Sequence, residues 1–176
     1  MTIENITPLY EGHLRVNQVQ VRTPDGALQK LERVERRDAV AALVYDPAAA
    51  AYLLVEQWRV GAEAPLLELP AGLIDGDESP ETALRRELRE ELGVEVGELT
   101  AIATFYPSPG FCSEQIHLFA AEVTSRVGAG GGLATEGEAL TVRPITAADF
   151  YHNTPLHDAK TLLAREWARP GRQGQH

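Results

Sequence analysis

The chain has 176 residues, of which 44% are hydrophobic and 24% charged, and its formal net charge is −10. This length suits one domain, or one domain with a small appendage, and the acidic balance argues against general nucleic-acid binding, which needs a basic face. No apolar run approaches the roughly 20 residues of a membrane helix. The opening "MTIENITPLYEGH" lacks the basic-then-apolar order of a secretion signal, so Asn5-Ile6-Thr7 reads as a chance glycosylation match. Cys112 is the only cysteine, which rules out an intrachain disulfide and makes a reducing cytoplasm the expected location.

In chain order, "HLRVNQVQV" and "ALQKLERVE" flank "TPDG" and predict a hairpin with a Pro-Asp-Gly turn. "AVAALVY" and "AYLLVEQW", on either side of "DPAAA", read as buried strands. "LLELP" is short and extended and is closed by Pro70. Ser79 and Pro80 open a helix through residue 92, with Leu84, Leu88 and Leu92 as its apolar stripe and Gly93 as its stop. "LTAIATFY" and "QIHLFAAEVT" are further strand candidates. "VGAGGGLATEGEAL" reads as a mobile glycine-rich loop, and its glycines lack the spacing of a dinucleotide fingerprint. A second helix is predicted over residues 155–168, capped by Thr154 and stopped by Pro170, burying Ala159, Leu162, Leu163 and Trp167; the tail after it reads as disordered. The expected class is α+β, with a helix beside a sheet. The expected organisation is N-terminal strands in 1–37, a main domain in 38–169 and a flexible tail in 170–176.

The helix collects acids. At about 100° per residue, Glu87 and Glu91 lie one turn apart, with Glu90 about 60° to one side, and all three border the leucine stripe. One reading is a solvated face, supported by the i,i+4 pairs Glu81–Arg85 and Arg86–Glu90. The other is a site for a hard divalent cation, which takes oxygen ligands and would turn the mutual repulsion into coordination. An acidic protein that handles a polyanion needs local arginines, a bound cation, or both.

The spacing around the helix bears on that choice. Gly72, Glu78, Arg86-Glu87-Leu88, Glu90-Glu91 and Gly93-Val94 match every defined position of the Nudix box, so the chain resembles the Nudix hydrolase family. The resemblance implies a mixed sheet between helices and Mg²⁺- or Mn²⁺-dependent hydrolysis of a nucleoside diphosphate linked to another group. It implies Glu87 and Glu91 as metal ligands, Glu90 as a further one, and the Ala71 carbonyl as a backbone ligand. Gly72 would permit the sharp turn, Arg86 would hold a glutamate by an ion pair, and Glu78 would bond toward the helix or only cap it.

The flanks of the box resemble the ADP-ribose pyrophosphatase subgroup. "EQWR" precedes "ELPAG", and Pro109 in "YPSPGF" follows the box at the spacing that marks the subgroup. This implies conversion of ADP-ribose and water to AMP and ribose 5-phosphate. Arg59 is the candidate phosphate ligand, with a surface arginine at a strand end as the alternative, and Trp58 reads as core. Phe111 and Tyr106 could stack on a base or only pack. Glu136 resembles the general base and Glu138 an additional metal ligand, with their roles exchangeable and Glu90 the next base. Together with the glycine run they suggest a catalytic lid. No histidine spacing suggests a metal site. The N-terminal strands resemble a homodimerisation sheet, with Arg33, Arg36 and Arg37 as candidates to reach the partner's substrate. The rivals are another substrate (a nucleotide sugar, NADH or a diadenosine polyphosphate) and a non-catalytic nucleotide-binding regulator.

Overall fold

The turn at "TPDG" requires a residue that tolerates positive φ, and Gly26 supplies it at φ +86. In the computed structural model, which describes residues 1–132 and 139–170, that turn joins β2 (Arg15–Arg22) to β3 (Leu28–Glu35) as an antiparallel hairpin. An additional strand, β1 (Thr2–Glu11), pairs with β2 to give the order β1-β2-β3. The sequence reading missed β1 because all its residues are exposed and its pairing is interrupted around Asn5 and Pro8. The hairpin belongs to a compact unit formed by Met1–Asp38 and Phe105–Ile116. Val34 donates its N–H to the Phe111 carbonyl at 2.7 Å and accepts from the Ser113 N–H at 3.1 Å, which attaches the later segment to β3.

The other unit comprises Ala39–Thr104 and His117–His176. Its strands are β4 (Ala39–Asp46), β5 (Ala51–Arg59), β6 (Ala64–Glu68), β7 (Ala71–Leu73), β8 (Val94–Val96), β9 (Thr100–Phe105), β10 (Ile116–Arg126) and β11 (Leu140–Thr146). They form one sheet of order β11-β5-β4-β10-β8, with β6 on β5, β7 on β4 and β9 on β10. The α+β class with a mixed sheet therefore holds. The strands not foreseen are β7, β8 and β11. The first two are too short for a period to show, and β11 carries Pro144, which an edge strand tolerates because it needs no inward N–H.

Helix α1 (Pro80–Leu92) forms where the sequence predicts it. Ser79 accepts the Thr82 N–H at 3.2 Å, and Gly93 closes the helix at φ 65 with its N–H on the Arg89 carbonyl. Leu84, Leu88 and Leu92 bury completely against Val40, Ala42, Val44, Leu53 and Val55 of β4 and β5. Each contributes about 1.5–3 kcal/mol, as an upper estimate. This anchors the acidic face at a fixed height over the sheet.

Two expectations need correction. The last helix, α3 (Ala159–Trp167), starts at Asp158 rather than Thr154. A separate short helix, α2 (Ala147–His152), precedes it. The buried face of α3 is Lys160, Thr161 and Ala164, while Ala159 and Leu163 are exposed. Hydrophobicity alone pointed to the wrong face because a lysine with ionic partners can be buried. The glycine run is also not free along its described length. Gly131 and Gly132 donate to the Glu91 and Glu90 carbonyls at 2.8 and 3.2 Å, and a Cβ on Gly130 would lie 2.4 Å from the Glu91 carbonyl oxygen. Residues 128–132 thus dock backbone to backbone on the end of α1, and at Gly130 the approach leaves no room for a side chain.

Candidate functional site

A carboxylate on a helix face beside a leucine stripe can reach either water or the neighbouring strand. Here Glu87 and Glu91 reach inward and are 9% and 3% exposed. The solvated-face reading does not describe them. The Ala71 N–H of β7 donates to Glu91 Oε2 at 3.0 Å. A Cβ added to Gly72 would lie 1.9 Å from the Glu87 carboxyl carbon, so this glycine, paired with Val40 inside β7 rather than at the expected sharp turn, is where the strand backbone and the carboxylate meet. Of the expected i,i+4 pairs, Arg86–Glu90 forms at 3.2 Å, whereas Arg85 bonds the Val96 and Gly97 carbonyls at 2.7 and 2.8 Å.

Arg86 organises the acids. Nη1 donates to Glu87 Oε1 at 2.7 Å and to Glu90 Oε2 at 3.2 Å. Nε and Nη2 grip the two Glu78 oxygens at 3.2 and 3.1 Å, and Nη2 also reaches the Leu73 carbonyl at 3.1 Å. Asp75 stands 3.6 Å away. The Glu78 hydrogen bond is the main reason the guanidinium is held well above its ordinary pKa, and the same bond holds the Glu78 carboxyl below its own. Glu78 thus bonds toward the helix, and the helix cap is Ser79.

Among the described residues, no three Asp, Glu, His or Cys side chains converge to hold a metal in this arrangement. Arg86 instead bonds both Glu87 and Glu90. The donor chemistry nevertheless fits a hard divalent cation: Glu87, Glu90 and Glu91 offer only oxygens from one helix, and two of them are buried, Glu87 against Gly72 of β7.

Arg59, at the end of β5, forks onto Glu68 of β6, with Nε to Oε1 at 2.7 Å and Nη2 to Oε2 at 2.9 Å. Lys160 donates to Glu68 Oε2 at 2.6 Å. Burial pushes the Glu68 carboxyl up, yet Arg59 and Lys160 outweigh it and hold the group below the ordinary value. Arg59 is held above its ordinary value, first by the Glu68 hydrogen bond, with Asp158 and Glu91 adding their charge. Trp58, expected in the core, is 59% exposed because it lies on the outward side of a strand end. Sequence reading missed Glu68, Lys160 and Thr161. The available signal was a glutamate inside the apolar run "LLELP".

Pro109 and Phe111 lie in the turn of the N-terminal unit, where the Phe111 and Cys112 N–H groups donate to the Ser108 carbonyl at 3.3 and 3.0 Å. Phe111 and Tyr106 are exposed. Arg33 pairs with Glu35 and Arg36 with Glu114. Glu136 and Glu138 lie outside the described residues.

The NUDIX domain matches residues 35–166. An ADP-ribose pyrophosphatase of Bacillus subtilis (strain 168) is 35% identical over 150 residues, covering 84% of this chain and 80% of its own. One of Haemophilus influenzae is 36% identical over 157 residues, covering 81% and 72%. A GDP-mannose pyrophosphatase of Citrobacter koseri is 36% identical over 143 residues, covering 76% and 74%. The crystal structure of an ADP compounds hydrolase superposes with a TM-score of 0.74 at 24% identity, covering 94% of this chain and 92% of that one, a likeness of fold.

Proposed function

This chain belongs to the Nudix family, and we propose that it hydrolyses the diphosphate linkage of ADP-ribose to AMP and ribose 5-phosphate. The observation that carries the hydrolytic reading is the complete box folded as one unit, with Glu87 and Glu91 buried, Glu87 against Gly72 of β7 and Glu91 fixed by the Ala71 N–H. The idle-regulator reading offers no reason to bury two carboxylates there. The ADP-ribose reading is supported by the two similar pyrophosphatases of that name and by the segments around Arg59 and Pro109.

Glu87, Glu90, Glu91 and the Ala71 carbonyl would hold the Mg²⁺, with Mn²⁺ as a substitute. A bound divalent cation neutralises phosphate charge and lowers the pKa of a bound water. The chain's own residues supply position. Arg86 spaces Glu87 and Glu90 and ties them to Glu78, and the Ala71 N–H fixes the Glu91 carboxylate. Arg59 contributes positive charge for the diphosphate, with Nη1 outside the fork held by Glu68. Glu136 is proposed as general base and Glu138 as a further ligand, with Glu90 the next base. Phe111 and Pro109 are proposed to border the adenosine. The exposed Ile3, Leu9, Leu28 and Leu31 of β1 and β3 suit a homodimer interface. Among the described residues no helix is long and apolar enough to cross a membrane, and the proposed location remains cytoplasmic.

The second reading is a nucleotide sugar such as GDP-mannose, favoured by the similar GDP-mannose pyrophosphatase. Turnover of ADP-ribose, GDP-mannose, NADH and a diadenosine polyphosphate with Mg²⁺, with products resolved by chromatography, separates the readings. The expected result is the highest kcat/KM for ADP-ribose, with AMP and ribose 5-phosphate as products. A clear preference for GDP-mannose would overturn the substrate and keep the family chemistry.

A further inference from the structure

A strand that changes its pairing partner leaves backbone groups without a ladder, and each must find another bond. Between β6 and β7 the chain makes such a jump. Glu68 still pairs with Val55 of β5, and Ala71 already pairs with Ala41 of β4. In between, the buried Leu69 N–H donates at 2.9 Å to Thr161 Oγ1 on α3, and the Pro70 carbonyl accepts the Ala42 N–H at 3.2 Å. Thr161 is fully buried and in turn donates to Asp158 Oδ2 at 2.6 Å. Its neighbour Lys160 grips Glu68 Oε2 at 2.6 Å and Asp158 Oδ1 at 3.0 Å. Helix α3 therefore holds both residues at the start of the jump from 92 positions away.

The far end of the jump is Ala71, whose N–H holds Glu91. Pro70 between them has a fixed φ, so the segment is short and stiff. A displacement at Leu69 must carry to Ala71 rather than dissipate. We infer that Lys160 and Thr161 are positioning residues for the box: they clamp the strand jump so that the Ala71 N–H presents the Glu91 carboxylate. The inference rests on the Nudix reading of Glu91. It differs from a purely stabilising role, which any well-packed helix would satisfy.

The experiment compares Thr161→Val, Thr161→Ser and Lys160→Met with the wild-type chain. Three quantities are read at a temperature where every variant is folded: exchange of the Ala71 amide by NMR, Mn²⁺ affinity by electron paramagnetic resonance, and kcat and KM for ADP-ribose. Thr161→Val and Lys160→Met are expected to speed Ala71 exchange, leave exchange of the Leu88 amide in α1 unchanged, and weaken Mn²⁺ binding. They should lower kcat by roughly 10–100-fold, the range for lost outer-shell support, with KM little changed. Thr161→Ser keeps the hydroxyl and should restore all three. Variants that melt earlier yet keep wild-type Ala71 exchange, Mn²⁺ affinity and kcat would overturn the inference. If the wild-type chain binds Mn²⁺ but does not cleave ADP-ribose, the substrate reading fails, while the exchange and affinity readouts still decide the clamp.

Discussion

Two ionic clusters lie in the main unit, and they differ in charge balance. Around α1, the guanidinium of Arg86 meets Glu78, Glu87, Glu90 and Asp75. Around β6, the single carboxylate Glu68 is held by both Arg59 and Lys160, with Asp158 also on the lysine. In these contacts of the first cluster four carboxylates share one guanidinium, whereas in those of the second two cations meet two carboxylates. Carboxylates gathered on one helix face suit a hard divalent cation, whereas a buried cluster of paired charges answers the cost of removing charges from water. The same residue types are therefore proposed to hold a cation in one place and, through Glu68 and Lys160, to brace the strands in the other.

The sharpest way to break this contrast is to attack the scaffold. Glu68→Gln leaves Arg59 and Lys160 without their carboxylate. Unfolding in urea should show a loss of about 3 kcal/mol, the low end for a broken buried pair, because Arg59 is partly exposed and solvent screens its share. The pH dependence has a definite sign. The Glu68 carboxyl is held below its ordinary value of 4.5, so its contribution is full above that value and fades as the pH falls through the lowered native one. Melting temperature against pH should therefore be flatter at the acid end in Glu68→Gln than in the wild-type chain.

The second test separates site from stability. Gly72→Ala places a methyl where the Glu87 carboxylate lies. The flexible carboxylate can swing away, so stability should change by less than about 1 kcal/mol. Turnover should nevertheless fall roughly 10–100-fold. Equal losses of stability and activity would make the site no different from the scaffold. The smallest effect is local. Ser79→Ala removes the α1 cap and should cost about 1 kcal/mol in thermal unfolding, with turnover almost unchanged below the melting temperature.

What could be read beforehand follows from how far each signal reaches along the chain. All the determinants of α1 lie inside its own stretch: Ser79, Pro80, the leucines at 84, 88 and 92, and Gly93. The placement of Glu87 and Glu91 was legible for the same reason. The face of α3 was not, because the partner that makes Lys160 buriable is 92 residues away in β6. The fork between Arg59 and Glu68 was not legible either, because neither stretch marks the other as its partner. β1 and β11 carry prolines and β7 and β8 are three residues long, so their strand character rests on partners that periodicity cannot reveal. The glycine run looked mobile in sequence because its bonds go to the backbone of α1, which leaves no side-chain pattern.

The central claim is that the clustered carboxylates of α1 hold a divalent cation used in hydrolysis. Its most direct test is Mn²⁺ titration, followed by electron paramagnetic resonance, of the wild-type chain and Glu91→Gln. The glutamine keeps the shape and still offers an oxygen to the Ala71 N–H. The account predicts an unchanged melting temperature, Mn²⁺ binding weakened by at least about tenfold, and a kcat lower by on the order of 100-fold. Wild-type Mn²⁺ affinity in Glu91→Gln, with near-normal turnover at limiting metal, would contradict it.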